Sequence, residues 1–214
     1  MKRIPSGITG LDRLLGGGLP ESGTVLLSGP AGAGKTIFGL QFLCNSKESG
    51  MFASFEEEVG GLRETASSFG WDIEKMERGG RVSLMKYDPY KFDDVMEVME
   101  NNLRETGAKR LVIDSISALG MYINNPPELR RVMLHIGLVM RNHGCLAVII
   151  SEMYHSSLSR FGVEEFVCDG VIALDRQVSG DEYKRHISVL KLRSSDHSRL
   201  VHNYSITKDG IIVK

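Results

Sequence analysis

The run GPAGAGKT, Gly29 to Thr36, limits what this chain can fold into more than any other stretch. It satisfies G-x-x-x-x-G-K-[ST], follows the apolar strand-like TVLLS (24–28) and opens the helical run KTIFGLQFL (35–43). A strand that turns through Gly29, Gly32 and Gly34, with small Ala31 and Ala33 between them, presents backbone N–H groups and a helix N-terminus to an anion. Lys35 then meets the terminal phosphates of a nucleotide, and the Thr36 hydroxyl is offered to Mg²⁺. ATP and Mg²⁺ are the ligands expected.

The rest of the chain alternates to match. Apolar, β-rich runs at 24–29, 51–55, 81–86, 110–115 and 146–151 are separated by helical stretches at 35–47, 58–69, 92–106 and 126–143. In the third stretch Phe92, Val95, Met96, Met99 and Leu103 recur at helical spacing, as a core stripe does. This order predicts an α/β fold with a mostly parallel central sheet flanked by helices. After about residue 165 the pattern changes to consecutive strands at 169–175, 186–193, 202–207 and 210–214, with turns at SGDE and KDG. Antiparallel hairpins are therefore expected to extend the sheet. No linker or repeat interrupts the 214 residues, which read as a single domain, 1–214.

Composition excludes several classes. With 42% hydrophobic and 25% charged residues and a net charge of -1, the chain lacks the basic balance of a dedicated nucleic-acid binder. Arg130 and Arg131 read as a solvated helix face. Cys44, Cys145 and Cys168 have no C-x-x-C spacing, so buried thiols in a reducing cytosol are expected rather than zinc or disulfides. The longest apolar run, LAVII (146–150), is far too short to span a bilayer, and a soluble cytoplasmic protein without membrane contact is expected.

Two carboxylate groups complete the chemistry. RLVIDS (110–115) ends a buried strand at Asp114, placing a carboxylate near the metal. SFEEE (54–58) places Glu56, Glu57 and Glu58 where a parallel neighbour would finish. Glu58 suits a helix N-terminus. Glu56 and Glu57 diverge in direction, and either can orient a water for attack.

The chain resembles the KaiC family of RecA-superfamily ATPases, in the form of one KaiC-type domain. The resemblance rests on GITGLDRLLGGGLPESGTVLLSGPAGAGKT, SFEEE…SFGWD, RLVIDSISAL, RFGVEEFVCDGVIAL and VLKLRSSDH, which occur in family order. It implies a P-loop, RecA-like fold and a homo-oligomeric ring, usually a hexamer, with ATP between subunits. On the P-loop side Gly32, Ala33, Gly34, Lys35, Thr36 and Ile37 are implied, with Ser68 near the nucleotide and Glu56 and Glu57 as the catalytic pair. The neighbouring subunit is implied to contribute Lys191, Leu192, Arg193, Ser195 and His197, with Thr207 and Lys208 near the base or ribose.

Where the family commonly has RGTSH this chain has RSSDH, so Ser194 stands for glycine and Asp196 adds a negative charge; Lys208 stands where an acid is common. On a strand, residues 191 and 193 point the same way about 7 Å apart, while Leu190 and Leu192 face apolar neighbours on the other side. In the family's autophosphorylating members a Ser-Thr pair lies where this chain has Glu165 and Phe166, so hydrolysis is favoured over autokinase activity. The segment HSSLSR (155–160), with Ser156, Ser157 and Ser159, reads as a solvated loop with an exposed, structural His155. The expected function is a Mg²⁺-dependent ATPase with a regulatory output through an unknown protein partner. A RecA-type DNA-handling paralogue is the alternative. The loops GMYINNPPE and YHSSLSRFG, with Arg160 alone as a basic residue, speak against it. A protein that binds ATP without turnover is a third possibility, which the glutamates weaken.

Overall fold

The computed structural model describes residues 2–123, 125–153, 157–180 and 182–214, the side chains of residues 91–94 and 179 excepted. A short strand, β1 (Arg3–Ile4), pairs with β2 (Leu19–Pro20) around helix α1 (Leu11–Leu14). Then follow β3 (Gly23–Gly29), α2 (Lys35–Cys44), β4 (Gly50–Ser54), α3 (Val59–Ser68), α4 (Ile73–Arg78), β5 (Val82–Lys86), a 3₁₀ turn (Pro89–Lys91), α5 (Phe92–Thr106) and β6 (Arg110–Asp114). The second half comprises α6 (Ile116–Ile123), α7 (Pro126–His143), β7 (Leu146–Glu152), α8 (Glu164–Val167), β8 (Gly170–Ser179), β9 (Glu182–Leu192), β10 (His202–Thr207) and β11 (Gly210–Val213).

Among the described residues, nine strands form one sheet in the order β11-β10-β9-β8-β3-β7-β6-β4-β5. From β8 to β5 every neighbour is parallel, and from β8 to β11 every neighbour is antiparallel. The fold is the expected α/β architecture. Parallel strands need crossover helices on both faces, so β3 is buried along its whole length. Its residues divide between two cores by alternation. Val25 and Leu27 pack on the α2 side with Phe38, Phe42 and Val112, whereas Leu26 packs on the α7 side with Met133, Ile136 and Ile149. Val95, Met99 and Leu103 of the α5 stripe enter that second core.

Local chemistry sets several ends. Asn125 caps α7 with Pro126 behind it, and Gly144 closes the helix at φ 57°. Helices α1, α4, α6 and α8 carry no amphipathic period in the sequence. They are short, and the first turns of α6, Ile116 to Gly120, are buried on all sides. Part of GMYINNPPE, read as a loop, thus belongs to α6, while α2 ends at Cys44 instead of reaching 47.

The described part of the segment before α8 is not all solvated. His155 and Ser156 lie outside the described residues, and Ser157 is exposed, but Ser159 is fully buried. The reason is Glu164, also fully buried, whose carboxylate must find donors. It accepts from Ser159 Oγ at 2.7 Å, Val163 N at 3.1 Å and Ser151 Oγ at 3.2 Å. All three cysteines are buried and free. Among the described residues no helix is long and apolar enough to cross a membrane.

Candidate functional site

Because β8, β3, β7, β6 and β4 are parallel, their C-terminal ends share one edge of the sheet, and the expected chemistry collects there. Gly34 caps α2 at φ 91°, a conformation that favours glycine, and a Cβ there would meet Ile206 Cδ1 at 2.8 Å. The motif therefore needs glycine at this position for its backbone conformation, since the Ile206 methyl can move aside. Lys35 Nζ donates to the carbonyls of Gly29 at 2.9 Å and Pro30 at 3.0 Å. Burial lowers its pKa, opposed by the carboxylates of Asp114, Glu152 and Glu56.

Thr36 Oγ1 donates to Asp114 Oδ2 at 2.8 Å, joining the first turn of α2 to the end of β6. Burial pushes Asp114 up to about 6, against the Thr36 hydrogen bond, and the Glu56 charge adds to the rise. A hydroxyl and a carboxylate oxygen at hydrogen-bond distance are the hard donors that Mg²⁺ takes from protein when phosphates and water supply the rest. Among the described residues no cluster of three or more His, Cys, Asp or Glu could hold a metal alone. The donor set thus fits a cation that arrives with a nucleotide.

The glutamate pair divides as strand geometry requires. Glu56 Oε2 accepts from Ser115 Oγ at 3.1 Å, beside Asp114. Glu57 turns back over α3, where a Cβ on Gly61 would lie 2.8 Å from its Oε1, and burial raises its pKa. Glu58 is the N-cap residue of α3 and lies 3.7 Å from Lys86, in keeping with a helix-terminal charge.

At the far end of β9, Lys191 Nζ donates to the carbonyls of Cys168 at 2.6 Å, Glu165 at 3.0 Å and Phe166 at 3.3 Å. Arg193 donates to Phe166 O at 3.2 Å and Asp169 Oδ1 at 3.3 Å. Both side chains do point the same way, onto the end of α8.

The model for the KaiC ATPase family matches residues 4–214. The chain belongs to the KaiC ATPase family. It is 35% identical to a UPF0273 protein of Pyrococcus furiosus, across 100% of this chain and 94% of that one. It is 32% identical to the circadian clock oscillator protein KaiC of Prochlorococcus marinus, across 100% of this chain but 45% of the clock protein. Its fold superposes with TM-score 0.91 on the crystal structure of a KaiC-like protein of Pyrococcus horikoshii, at 36% identity and over 100% and 99% of the two chains. The RecA-like P-loop architecture and its nucleotide-binding loop come with the family.

The other residues implied by the KaiC resemblance fall into separate places. Ile37 packs on the α2-side core. Ser68 is exposed, its hydroxyl donating to Thr65 O at 2.7 Å. Thr207 ends β10, its hydroxyl donating to Gly210 O at 3.1 Å, and Lys208 beside it is exposed. Leu192 is buried in the core, but Leu190 is 46% exposed, contrary to the expectation that it faces apolar neighbours. A bulge is responsible. Val171 faces Lys191 and Ile172 faces Val189, so Leu190 has no partner in β8 and leaves the core face.

Ser194 adopts φ 55°, in the left-handed region that favours glycine. Asp196 Oδ1 accepts from His197 N at 3.0 Å, and the Ser195 hydroxyl donates to Asp196 O at 3.0 Å, so this acid braces its own loop. His197 Nδ1 lies 3.0 Å from Ser198 O.

Sequence reasoning passed over Glu152, which ends β7 opposite Gly29 and pairs with Arg160 at 3.6 Å. It also passed over Tyr204, whose buried hydroxyl donates to Ala33 O at 2.6 Å. Glu152 stands at a parallel strand end, which was a usable signal. Tyr204 depends on a hairpin folding back over the P-loop, for which the sequence holds no local sign.

Proposed function

We propose that this single KaiC-type domain is a Mg²⁺-dependent ATP hydrolase that assembles into a ring, a hexamer, in the cytoplasm, with nucleotide between subunits. Hydrolysis changes its affinity for a regulatory protein partner. One observation carries the chemical part: the Thr36–Asp114 hydrogen bond, with Glu56 beside it and Lys35 in the loop. Gly29, Gly32, Ala33 and Gly34 turn backbone N–H groups to the phosphates, and Ile37 anchors the helix behind them. Thr36 and Asp114 would hold Mg²⁺, which when bound would neutralise phosphate charge.

Glu56 is the better placed of the pair to orient water, because its carboxylate is turned toward Ser115 and Asp114 while Glu57 lies over Gly61. Water oxygen bonds to the γ-phosphorus, the bond from that phosphorus to the bridging oxygen breaks, and ADP leaves with the electron pair. The water proton passes to the Glu56 carboxylate, and Lys35 meets the charge on the leaving oxygen. Arg193, with Lys191, Leu192, Ser195 and His197 around it, closes the site from the next subunit, whose Thr207 and Lys208 lie near the base or ribose, and Ser68 lies near the nucleotide on the P-loop side.

Phosphate release and light scattering, each with and without MgATP, test this. Hydrolysis should vanish with EDTA and in Lys35→Ala, and fall about 10²-fold or more in Glu56→Gln but less in Glu57→Gln. A strictly monomeric protein with undiminished ATPase activity would sink the interface, and undiminished turnover in Lys35→Ala would sink the site.

A further inference from the structure

The end of β8 carries a cation that the P-loop motif does not account for. Strand β8 lies in parallel register with β3, from Val25 opposite Gly170 to Ser28 opposite Ala173. Its next residues therefore rise beside the phosphate loop. Ile172 and Leu174 enter the α2-side core, and alternation puts Arg176 on the same face, just beyond that core. The guanidinium reaches the loop: a Cβ built on Gly32 would sit 3.0 Å from Arg176 Nη1. The Tyr183 ring supports it from β9, 4.8 Å from Cζ to the ring centroid.

Two more residues continue the row across the sheet. Arg185 stands directly opposite Arg176 on β9, and Tyr204 directly opposite Arg185 on β10, so all three share the P-loop face. Tyr204 binds Ala33 O, and the Nε of Arg185 is buried with no hydrogen-bond partner. The nearby acid does not neutralise the pair. Asp175 lies on the opposite face by alternation, and its carboxylate accepts from Arg176 N at 2.8 Å and Gln177 Nε2 at 3.0 Å. Among the described residues neither arginine has an ion pair to a carboxylate. Like charges directly opposed across two strands are unfavourable, and an anion at the loop would relieve them.

We propose that Arg176, backed by Arg185, is a same-subunit contact for the polyphosphate of the bound nucleotide, additional to Lys35 and separate from Lys191 and Arg193. This rests on the nucleotide reading of the P-loop. It gives the loop a second cation in cis, so that phosphate binding does not wait for a neighbouring subunit.

Calorimetric titration with inorganic tripolyphosphate and with MgATP tests it, using the wild type, Arg176→Ala, Arg176→Gln, Arg176→Lys and Lys35→Ala. Loss of charge-assisted hydrogen bonds should weaken both ligands about 10- to 100-fold in the Ala and Gln variants, and lysine should recover part of that loss. The ligand-free melting temperature should hold or rise in both variants, whereas a residue that only bracing the hairpin required would lower it. Binding within twofold of wild type in Arg176→Ala or Arg176→Gln, with Lys35→Ala impaired, overturns the Arg176 contact alone. Undiminished binding in Lys35→Ala overturns the nucleotide reading beneath it.

Discussion

Thr36 Oγ1 and Asp114 Oδ2 stand 2.8 Å apart, so the helix that follows the phosphate loop is tied to the strand that supplies the acid. The tie holds a carboxylate where burial raises its pKa to about 6 from an ordinary 3.8. A folded-state pKa above the unfolded one means that the folded chain binds the extra proton. The stabilising contribution is full below about pH 3.8 and is lost as pH rises through about 6, at a cost of about 3 kcal/mol. Asp114→Asn cannot ionise. Without nucleotide it should be more stable than wild type at pH 8 by up to about 3 kcal/mol, with the gain shrinking toward pH 5 in urea titrations. The same variant should lose Mg²⁺-dependent tightening of ATP.

Tyr204→Phe removes the hydroxyl that meets Ala33 O at 2.6 Å inside the protein. The carbonyl then stays buried without its partner, at a cost of about 1–3 kcal/mol. Denaturant midpoints should fall accordingly. Because Ala33 belongs to the loop itself, ATP should also bind more weakly, whereas a tyrosine acting only within the hairpin would leave affinity unchanged.

The parallel half of the fold was legible because each of its strands is a short apolar run bounded by turn residues, and register then brings Gly29, Glu56, Asp114 and Glu152 to one edge. The placement of Lys35, Thr36 and Asp114 beside one another could be read for the same reason: a motif fixes spacing, and spacing fixes place. What stayed hidden depends on contacts distant in sequence. Tyr204 meets Ala33 across 171 residues, and Glu164 gathers Ser151 and Ser159 only when the loop folds over β7. Leu190 shows a third kind of failure, since one bulged residue turns an apolar side chain out of the core with no change in the alternating pattern.

Ser194 holds φ 55° on the surface of the loop after β9, in the left-handed region that disfavours a side chain. That conformation costs about 1–2 kcal/mol for a residue with a Cβ, while glycine loses about 0.5–1 kcal/mol more chain entropy on folding. Ser194→Gly should therefore stabilise the protein by about 0.5–1 kcal/mol, visible as a small rise in melting temperature. If Ser194 also sets the reach of Arg193, turnover will change with it; equal turnover would assign the residue to loop conformation alone.

The basic pair divides by donor capacity. The ammonium of Lys191 has three donors and three carbonyl acceptors, those of Glu165, Phe166 and Cys168 in its own chain. Arg193 spends two contacts, on Phe166 O and Asp169, and its side chain is 51% exposed, which leaves donors for a neighbour's phosphate. Lys191→Ala should thus act mainly on stability, costing about 1–3 kcal/mol as the carbonyls of α8 lose their partner. Arg193→Ala should act on turnover, lowering it about 10³-fold if the guanidinium meets transition-state charge. Mixing separates cis from trans. In a ring of Lys35→Ala and Arg193→Ala subunits in equal amounts, about one interface in four joins an intact cradle to an intact arginine. Hydrolysis should return to about that fraction of wild type, and a mixture no more active than its two components would place Arg193 in its own subunit's site.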